Sequence, residues 1–509
     1  MKIYDNLTDE EVFNIACKKN KVNKEDVLSW NIAKKSVDSR RKDDVHFSYS
    51  LNLLMKGEKQ EEKKDLLLID NKKTIDKRPV VIGAGPAGLF AAYTLALNGF
   101  NPILLEQGKC IEDREKDVED FINNRKLNPN SNIQFGEGGA GTFSDGKLTT
   151  NINSELNKTV LDTFVKFGAP KEILYLTKPH IGTDNLRKLV KNMREEIIKL
   201  GGEVRFNTKV VDFEIQNNIL QAIVTNTGDK INTNDAILAI GHSARSTFEK
   251  LYELKVNMEP KPFSVGVRIE HLQEDINKAQ YGEKTKLKLP PAEYKLAYHG
   301  EDGRSCYTFC MCPGGFVMAS SSEEGTIVTN GMSYFDRSGE NANSALLVNI
   351  IPEDYKDKYI KDNPLNGVYF QKELEEKAYK LAGSNYNAPA QRVGDYIGEN
   401  KLSNDTVKPT YKPGVTYVDL NMLFPEYVNK TLKEGIKYFG TKIKGLDKDD
   451  SILTAIESRS SSPVRIIRDE YMNSNIIGIH PCGEGAGYAG GIMTSAIDGI
   501  KVAKTIISK

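Results

Sequence analysis

PVVIGAGPAGLFAAYTLALNGFNPILLE, residues 79–106, holds a complete nucleotide-binding βαβ unit. An apolar strand, Val80 to Ile82, runs into Gly83-x-Gly85-x-x-Gly88. Leu89 to Leu97 then reads as a helix, and Ile103 to Leu105 as a second strand ending on Glu106. Gly83 permits a tight turn, Gly85 lets the backbone approach a pyrophosphate, and Gly88 lets helix and strand pack closely, with the phosphates facing the positive helix start. Glu106, about 20 residues beyond the glycines, is placed to accept ribose hydroxyls and disfavours a 2′-phosphate. The bland alternative is a glycine-rich turn in an ordinary α/β core, but that gives no reason for the acid ending the second strand. A membrane helix through 80–97 fails because Pro86 and the glycines interrupt the run and strands flank it.

A length of 509 residues allows two or three domains, and 39% hydrophobic with 28% charged residues reads as globular. The start, MKIYDNLTDEEV, is polar and acidic, which argues against secretion and membrane insertion and makes the cytoplasm the expected location. Net charge is zero, which removes the global electrostatic argument for nucleic acid or an anionic membrane. The cysteines, Cys17, Cys110, Cys306, Cys310, Cys312 and Cys482, are scattered, so reduced thiols are expected rather than a disulfide framework. Cys306-x-x-x-Cys310-x-Cys312 lacks the CxxC spacing of most zinc and ferredoxin sites, and no metal is expected.

Residues 1–76 read as a small N-terminal α/β module. Thr8 and Glu11 form a capping box for a first helix, strands run from Val27 to Val37 and from Val45 to Leu54, and the charged run at 56–65 is an exposed connector. The basic turn Arg40-Arg41-Lys42 reads as solvated surface. Leu186, Leu189, Val190, Met193, Ile197 and Leu200 mark one face of a helix that stops at Gly201-Gly202. A meander follows at 204–225, and a buried strand, Ala236 to Ile240, enters Gly241-His242-Ser243. Residues 255–469 are irregular in pattern and read as an inserted α+β substrate domain, whereas 77–254 and 470–509 make the nucleotide-binding domain. The chain finishes with a strand at Ile476 to Ile479, a second glycine-rich segment, and a helix from Ile492 to Ile507.

Two glycine-rich elements at opposite ends of the chain, with DAILAIG at 235–241, resemble the glutathione-reductase-like, two-dinucleotide-binding-domain flavoproteins. IQFGEGGAGTFSDGKLTT at 133–150, KPHIGTDNL at 178–186, FCMCPGG at 309–315, NGMS at 330–333, SRSSSPVRI at 458–466 and CGEGAGYAGGI at 482–492 narrow the resemblance. Together they look like a bacterial family of uncharacterised FAD-dependent dehydrogenases. The resemblance implies a Rossmann-like α/β fold and FAD as cofactor. It places Gly83, Gly85, Pro86, Ala87, Gly88, Glu106 and Gln107 near the adenosine and pyrophosphate. It adds Gly138, Gly139, Gly141, Thr142, Val210 and Gly241 as further contacts, and Gly483, Glu484, Gly490, Gly491 and Ile492 toward the ribityl chain and flavin. Glu484 stands where an Asp is common, and Ile240 where a Thr is common.

A flavin carries hydride chemistry itself, so the protein has only to bind it and place donor and acceptor. His180, His242 and His480 sit beside these motifs as proton-transfer candidates, each with a structural role as the alternative. Cys482 is a candidate redox thiol, with Cys310 or Cys312 as partner if the fold brings them together. Arg268, His271, Arg459 and Arg465 are either ligands for an anionic substrate or ion-paired structure. No second strand-GxGxxG-helix-acid unit appears between 245 and 470, so NAD(P)H is expected only as a transient reductant. The expected function is an FAD-dependent dehydrogenase or reductase of a small molecule. A flavin monooxygenase and a flavin-dependent tRNA-modification protein are the alternatives.

Overall fold

The computed structural model describes residues 1–59, 65–150, 152–398 and 406–508. The charged connector read at 56–65 therefore lies partly outside the described residues.

A five-stranded parallel sheet runs in the order Ile479–Pro481, Ala236–Leu238, Val80–Ile82, Ile103–Leu105, Glu203–Arg205. Successive side chains on a strand face opposite ways. Val81, Leu104 and Ile237 accordingly join a core with the helices Pro86–Leu97, Thr183–Lys199 and Ile492–Ser508. Val80, Ile82, Ile103, Leu105, Ala236 and Leu238 face the opposite way. They pack on the antiparallel meander Val210–Gln216, Ile219–Thr225, Lys230–Asn232 and on the helix Arg245–Glu253. The first and last helices press together where Gly499 meets Ala87: a Cβ on Gly499 would lie 2.1 Å from the Ala87 carbonyl oxygen.

The last strand does rejoin the first sheet, but at Ile479–Pro481 rather than at 476–479. Gly478, at φ +91°, turns the chain there, and a Cβ on it would meet the Asn234 carbonyl oxygen at 2.2 Å. Ile477 is left to bridge Ile219 instead.

Between 263 and 457 the expected irregularity gives way to a seven-stranded sheet. Its order is Ala297–His299, Ser305–Cys312, Asn341–Ile350, Phe263–Leu272, Ile452–Glu457, Ala388–Arg392, Val415–Tyr417, antiparallel except at the last pair. Val265, Val267 and Ile269 point from the central strand into an apolar core with the helices Asn366–Leu381 and Glu426–Lys442. Arg268 and Glu270 alternate with them and are also fully buried, so this strand is covered on both faces. Met258–Pro260 pairs with Val464–Ile466 where the chain leaves and re-enters the first unit.

The N-terminal helix Asp9–Asn20 carries the expected capping box, and the strands Val27–Asp38 and His46–Met55 pair with Lys2–Ile3 in one antiparallel sheet. Ile3, Val12, Ile32, Phe47 and Tyr49 form the core of this module. Tyr175, Leu287 and Leu289 pack against it from outside the module.

Candidate functional site

Ligands of open α/β sheets bind in the crevice beyond the carboxyl ends of the strands, and a long cleft opens there. The fingerprint loop contributes Gly83, Gly85, Pro86 and Ala87 to its wall. Gly83 sits at φ +101°, and a Cβ on it would lie 2.3 Å from the Ala239 carbonyl oxygen. Gly88 does not line the cleft: its missing Cβ would lie 1.8 Å from the Gly83 carbonyl oxygen, so it serves helix–strand packing.

Glu106 and Gln107 line one end, with Thr208, Lys209 and Val210 beside them. The Glu106 carboxylate is already engaged by backbone. Its Oε2 accepts the Ala84 N–H at 2.8 Å, and its Oε1 accepts those of Gly108 and Gly136, each at 2.9 Å. A carboxylate has about four lone-pair sites, so one remains on Oε2 for a ribose hydroxyl. The acid read as a ribose contact is thus also the clasp that shapes the nucleotide end.

The loop 136–141 is built in rather than being a loose surface loop. Arg114, fully buried, donates to the carbonyls of Asn132, Ile133, Glu137 and Gly139, and the Gly138 N–H reaches the Ala84 carbonyl at 2.8 Å. Gly139 and Gly141 line the cleft, whereas Gly138 and Thr142 lie behind its wall. Thr142 leans on the Glu137 carbonyl. Burial pushes the Glu137 carboxyl up to about 7. Its Oε2 accepts the Ile111 N–H and lies 3.3 Å from Arg194, while Oε1 has no partner.

From the tail, Glu484, Gly490, Gly491 and Ile492 line the cleft and Gly483 does not. The Gly483 N–H is spent on Asp498 at 2.8 Å. Gly241 lines it from the neighbouring strand. His242 also borders it, with Nδ1 3.4 Å from Glu484 Oε1 and a buried Nε2 that has no partner.

His180 and His480 are not among the lining residues. His180 stacks on Phe335 and bonds its carbonyl at 2.9 Å, and burial lowers its pKa. Both ring nitrogens of the fully buried His480 are taken, by the Met472 carbonyl and by Asp235. Neither histidine reaches the cleft, so nearness in sequence to the motifs misled for both.

All six cysteines are free. Cys482, Cys310 and Cys312 border the same cleft. Burial, with Asp498 adding to it, pushes the Cys482 thiol well above its ordinary range, which works against a reactive thiolate.

The second sheet closes the other end with Phe309, Cys310 and Glu457, joined by Arg459 and Ser460 just past its strand Ile452–Glu457 and by Asn330 from a separate two-stranded sheet, Phe316–Ala319 with Thr329–Met332. Arg268 and His271 turn out to be structural. Arg268 holds Glu457 through Nε at 2.8 Å and Nη2 at 2.7 Å, and His271 meets the Tyr294 hydroxyl at 3.0 Å. Arg465 pairs with Glu259 away from the cleft. Arg459 does line it, anchored on Glu375 and on Ser322. Glu457 is a cleft residue that the sequence does not point to, whereas Cys310, expected as a possible partner of Cys482, does border the cleft with it. No local motif marks Glu457, because the strands around it meet only in the folded sheet.

The cleft suits an extended dinucleotide. A Cβ would meet nothing within 4 Å at Gly241, Gly490 or Gly491, and at Gly85 only Gly139 Cα at 3.8 Å. At Gly490 and Gly491 no neighbour within the chain forbids a side chain, so the open space there faces the cleft, whereas Gly241, at φ +70°, also suits glycine for its backbone. The helices Pro86–Leu97 and Ile492–Ser508 both begin at its wall, so two positive helix ends and their free N–H groups are available to phosphates and to flavin charge.

Such a cleft, beyond the carboxyl ends of a parallel sheet, belongs to a Rossmann-like dinucleotide-binding fold, and comparison with known proteins points to the dinucleotide. Residues 262–460 match a family described as FAD-dependent protein, C-terminal domain-like, and residues 2–53 match a domain of unknown function. The chain belongs to the family of an "Uncharacterized protein" of Clostridium beijerinckii (strain ATCC 51743 / NCIMB 8052), to which it is 48% identical over 510 residues, covering 97% of this chain and 95% of the relative. FAD is its cofactor.

Solved structures it resembles include a glycine oxidase from Bacillus cereus ATCC 14579, with 11% identity, 85% of this chain and 95% of that one covered, and a TM-score of 0.32. An L-proline dehydrogenase from P. horikoshii shares 14% identity over 84% of this chain and 93% of its own, with a TM-score of 0.33. At these TM-scores neither carries an argument about substrate or reaction. Among the described residues no helix is long and apolar enough to cross a membrane.

Proposed function

We propose that the chain is a dehydrogenase or reductase that moves a hydride between a small molecule and FAD. The observation that carries this reading is the continuity of the cleft, which runs from Glu106 and Val210, past the glycines, to the polar face of the second sheet at Glu457 and Arg459. Bound FAD would supply the hydride-accepting atom, N5.

The chain's own residues would do the rest. The fingerprint loop and Glu106 would hold the adenosine half, and Gly241, Glu484, Gly490 and Gly491 the flavin half. The start of the Ile492–Ser508 helix would favour negative charge on the reduced ring. The second sheet would bring the substrate and keep water out.

The second sheet is antiparallel over most of its width. Among the described residues it therefore offers no parallel βαβ crevice for a second nucleotide, which supports NAD(P)H acting only as a transient donor.

The test is a visible spectrum of the purified protein followed by anaerobic reduction with NADH, NADPH and candidate metabolites. A flavin spectrum bleached by one of them is the expected result. A protein that stays colourless after FAD addition overturns the reading.

A further inference from the structure

Four charged residues line the end of the cleft bordered by the second sheet: Asp145, Lys147, Glu457 and Arg459. Three of them are matched charge for charge. Asp145 takes a bidentate pair from Arg337, and Glu457 takes one from Arg268. Arg459 shares Glu375 with Arg245, but Arg245 has Glu323 as a second counter-charge, so that group is neutral.

Lys147 is different. Its ammonium lies 3.0 Å from Glu293 Oε2, and the other oxygen of that carboxylate is held by Lys178, also at 3.0 Å. Two ammonium groups share one carboxylate, which leaves one positive charge uncompensated at this end of the cleft. Against desolvation by burial, which raises it, the two lysines hold Glu293 down at about 2, so the carboxylate stays ionised and the count stands. An ammonium has three N–H donors. Lys147 gives one to the Met311 carbonyl and one to Glu293, and the third is free.

We propose that this end of the cleft receives the carboxylate of a small organic acid, with the Lys147 ammonium as its counter-charge. The inference rests on the FAD-dependent oxidoreductase reading and adds the substrate class to it. The carboxylates at this end are each neutralised by a bidentate arginine, so the charge left unbalanced for an incoming molecule is the positive one. A positive cleft wall with low-dielectric surroundings also concentrates anions. A neutral or cationic substrate would leave the excess charge unmet.

The experiment titrates the FAD-loaded enzyme with acetate, malonate and benzoate, with the matching neutral amides, and with inorganic phosphate, reading the perturbation of the flavin absorption bands. Carboxylates are expected to perturb the bands saturably and the amides not. Lys147→Met should weaken the carboxylate response about tenfold, as loss of one charge-assisted hydrogen bond does, with FAD content unchanged. Lys147→Arg should keep most of it. Lys178→Met should weaken it less, because Glu293 then neutralises Lys147.

Amides as effective as carboxylates, phosphate in preference to every carboxylate, no response to any probe, or a carboxylate response indifferent to Lys147→Met would each overturn the proposal. Absence of a flavin spectrum in the wild-type chain would instead strike the reading beneath it.

Discussion

The side chain of Glu106 reaches back across the sequence to take the backbone N–H of Ala84 at 2.8 Å, so the acid that ends the second strand fixes the glycine loop that follows the first. It takes the N–H groups of Gly108 and Gly136 as well. Glu106→Ala strands these buried donors, and such a loss is expected to cost about 3 kcal/mol. Chemical denaturation of the apo protein measures it, and FAD affinity should fall with it. A variant as stable as the wild type removes the clasp from the account.

Arg268 and Glu457 make a second buried pair, both almost without solvent contact. Removing one partner of such a pair leaves a bare charge and costs about 3–5 kcal/mol, whereas replacing both with apolar side chains of similar volume is often close to neutral. Arg268→Met should therefore unfold in less urea than the wild type, and adding Glu457→Leu should restore most of the loss. Two single losses that simply add would contradict the pairing.

The fingerprint was legible because much of its chemistry is local: Gly88 meets the Gly83 carbonyl and Glu106 takes the Ala84 N–H inside the same βαβ unit, although Gly83 itself is pressed against Ala239, just past a distant strand. The final strand was misplaced by three residues because only contact with Asn234 reveals that Gly478 is the turn. Residues 263–272 carry Arg268 and Glu270 between apolar neighbours, which usually signals one wet face. Here the polar face is buried and satisfied by Glu457, Asn343, Thr410 and Asn341, from segments far along the chain. Hence the largest sheet read as irregular. His180 and His480 failed for the same reason, since distance to the cleft is a property of the fold.

Glu137 makes stability depend on pH in a defined direction. Burial raises its carboxyl to about 7 from an ordinary 4.5, so between those values the folded state holds a proton that the unfolded state has released. Its contribution is complete below about pH 4.5 and is lost as pH rises through about 7, by roughly 3 kcal/mol at most. Glu137→Gln, neutral throughout, should gain on the wild type across this window. Stability of the two proteins at pH 5 and pH 8 gives the difference, and an unchanged difference would refute the assignment. Glu270, also raised by burial to about 7, keeps its own slope in both proteins and cancels.

Cys310 is the exposed thiol of the cleft, held at φ +41° on a bulged strand, with its carbonyl accepting from Arg268. Desolvation raises its pKa to about 11. Alkylation by iodoacetamide, mapped by mass spectrometry, should therefore be slow at pH 7 and rise about tenfold per pH unit through pH 8 to 10, as the thiolate fraction does. Bound FAD should slow it, since Cys310 borders the same cleft. Fast labelling at pH 7 would contradict the environment described here.

Gly491 and Gly499 bracket one helix start and separate binding from folding. A Cβ at Gly491 meets nothing within 4 Å and faces the cleft, whereas one at Gly499 would lie 2.1 Å from the Ala87 carbonyl oxygen. Gly499→Ala forces apart the two helices that cover the parallel sheet and should cost about 1–3 kcal/mol, the usual range for overpacking. Gly491→Val should leave apo stability within about 0.5 kcal/mol, as surface substitutions generally do, yet fill the space reserved for the cofactor. FAD titration followed by flavin fluorescence should show at least a tenfold weaker complex for Gly491→Val, while thermal unfolding of the apo forms should single out Gly499→Ala. If Gly491→Val bound FAD as the wild type does, the flavin would not pass this helix start, and the assignment of Gly490, Gly491 and Ile492 to the cofactor would fail.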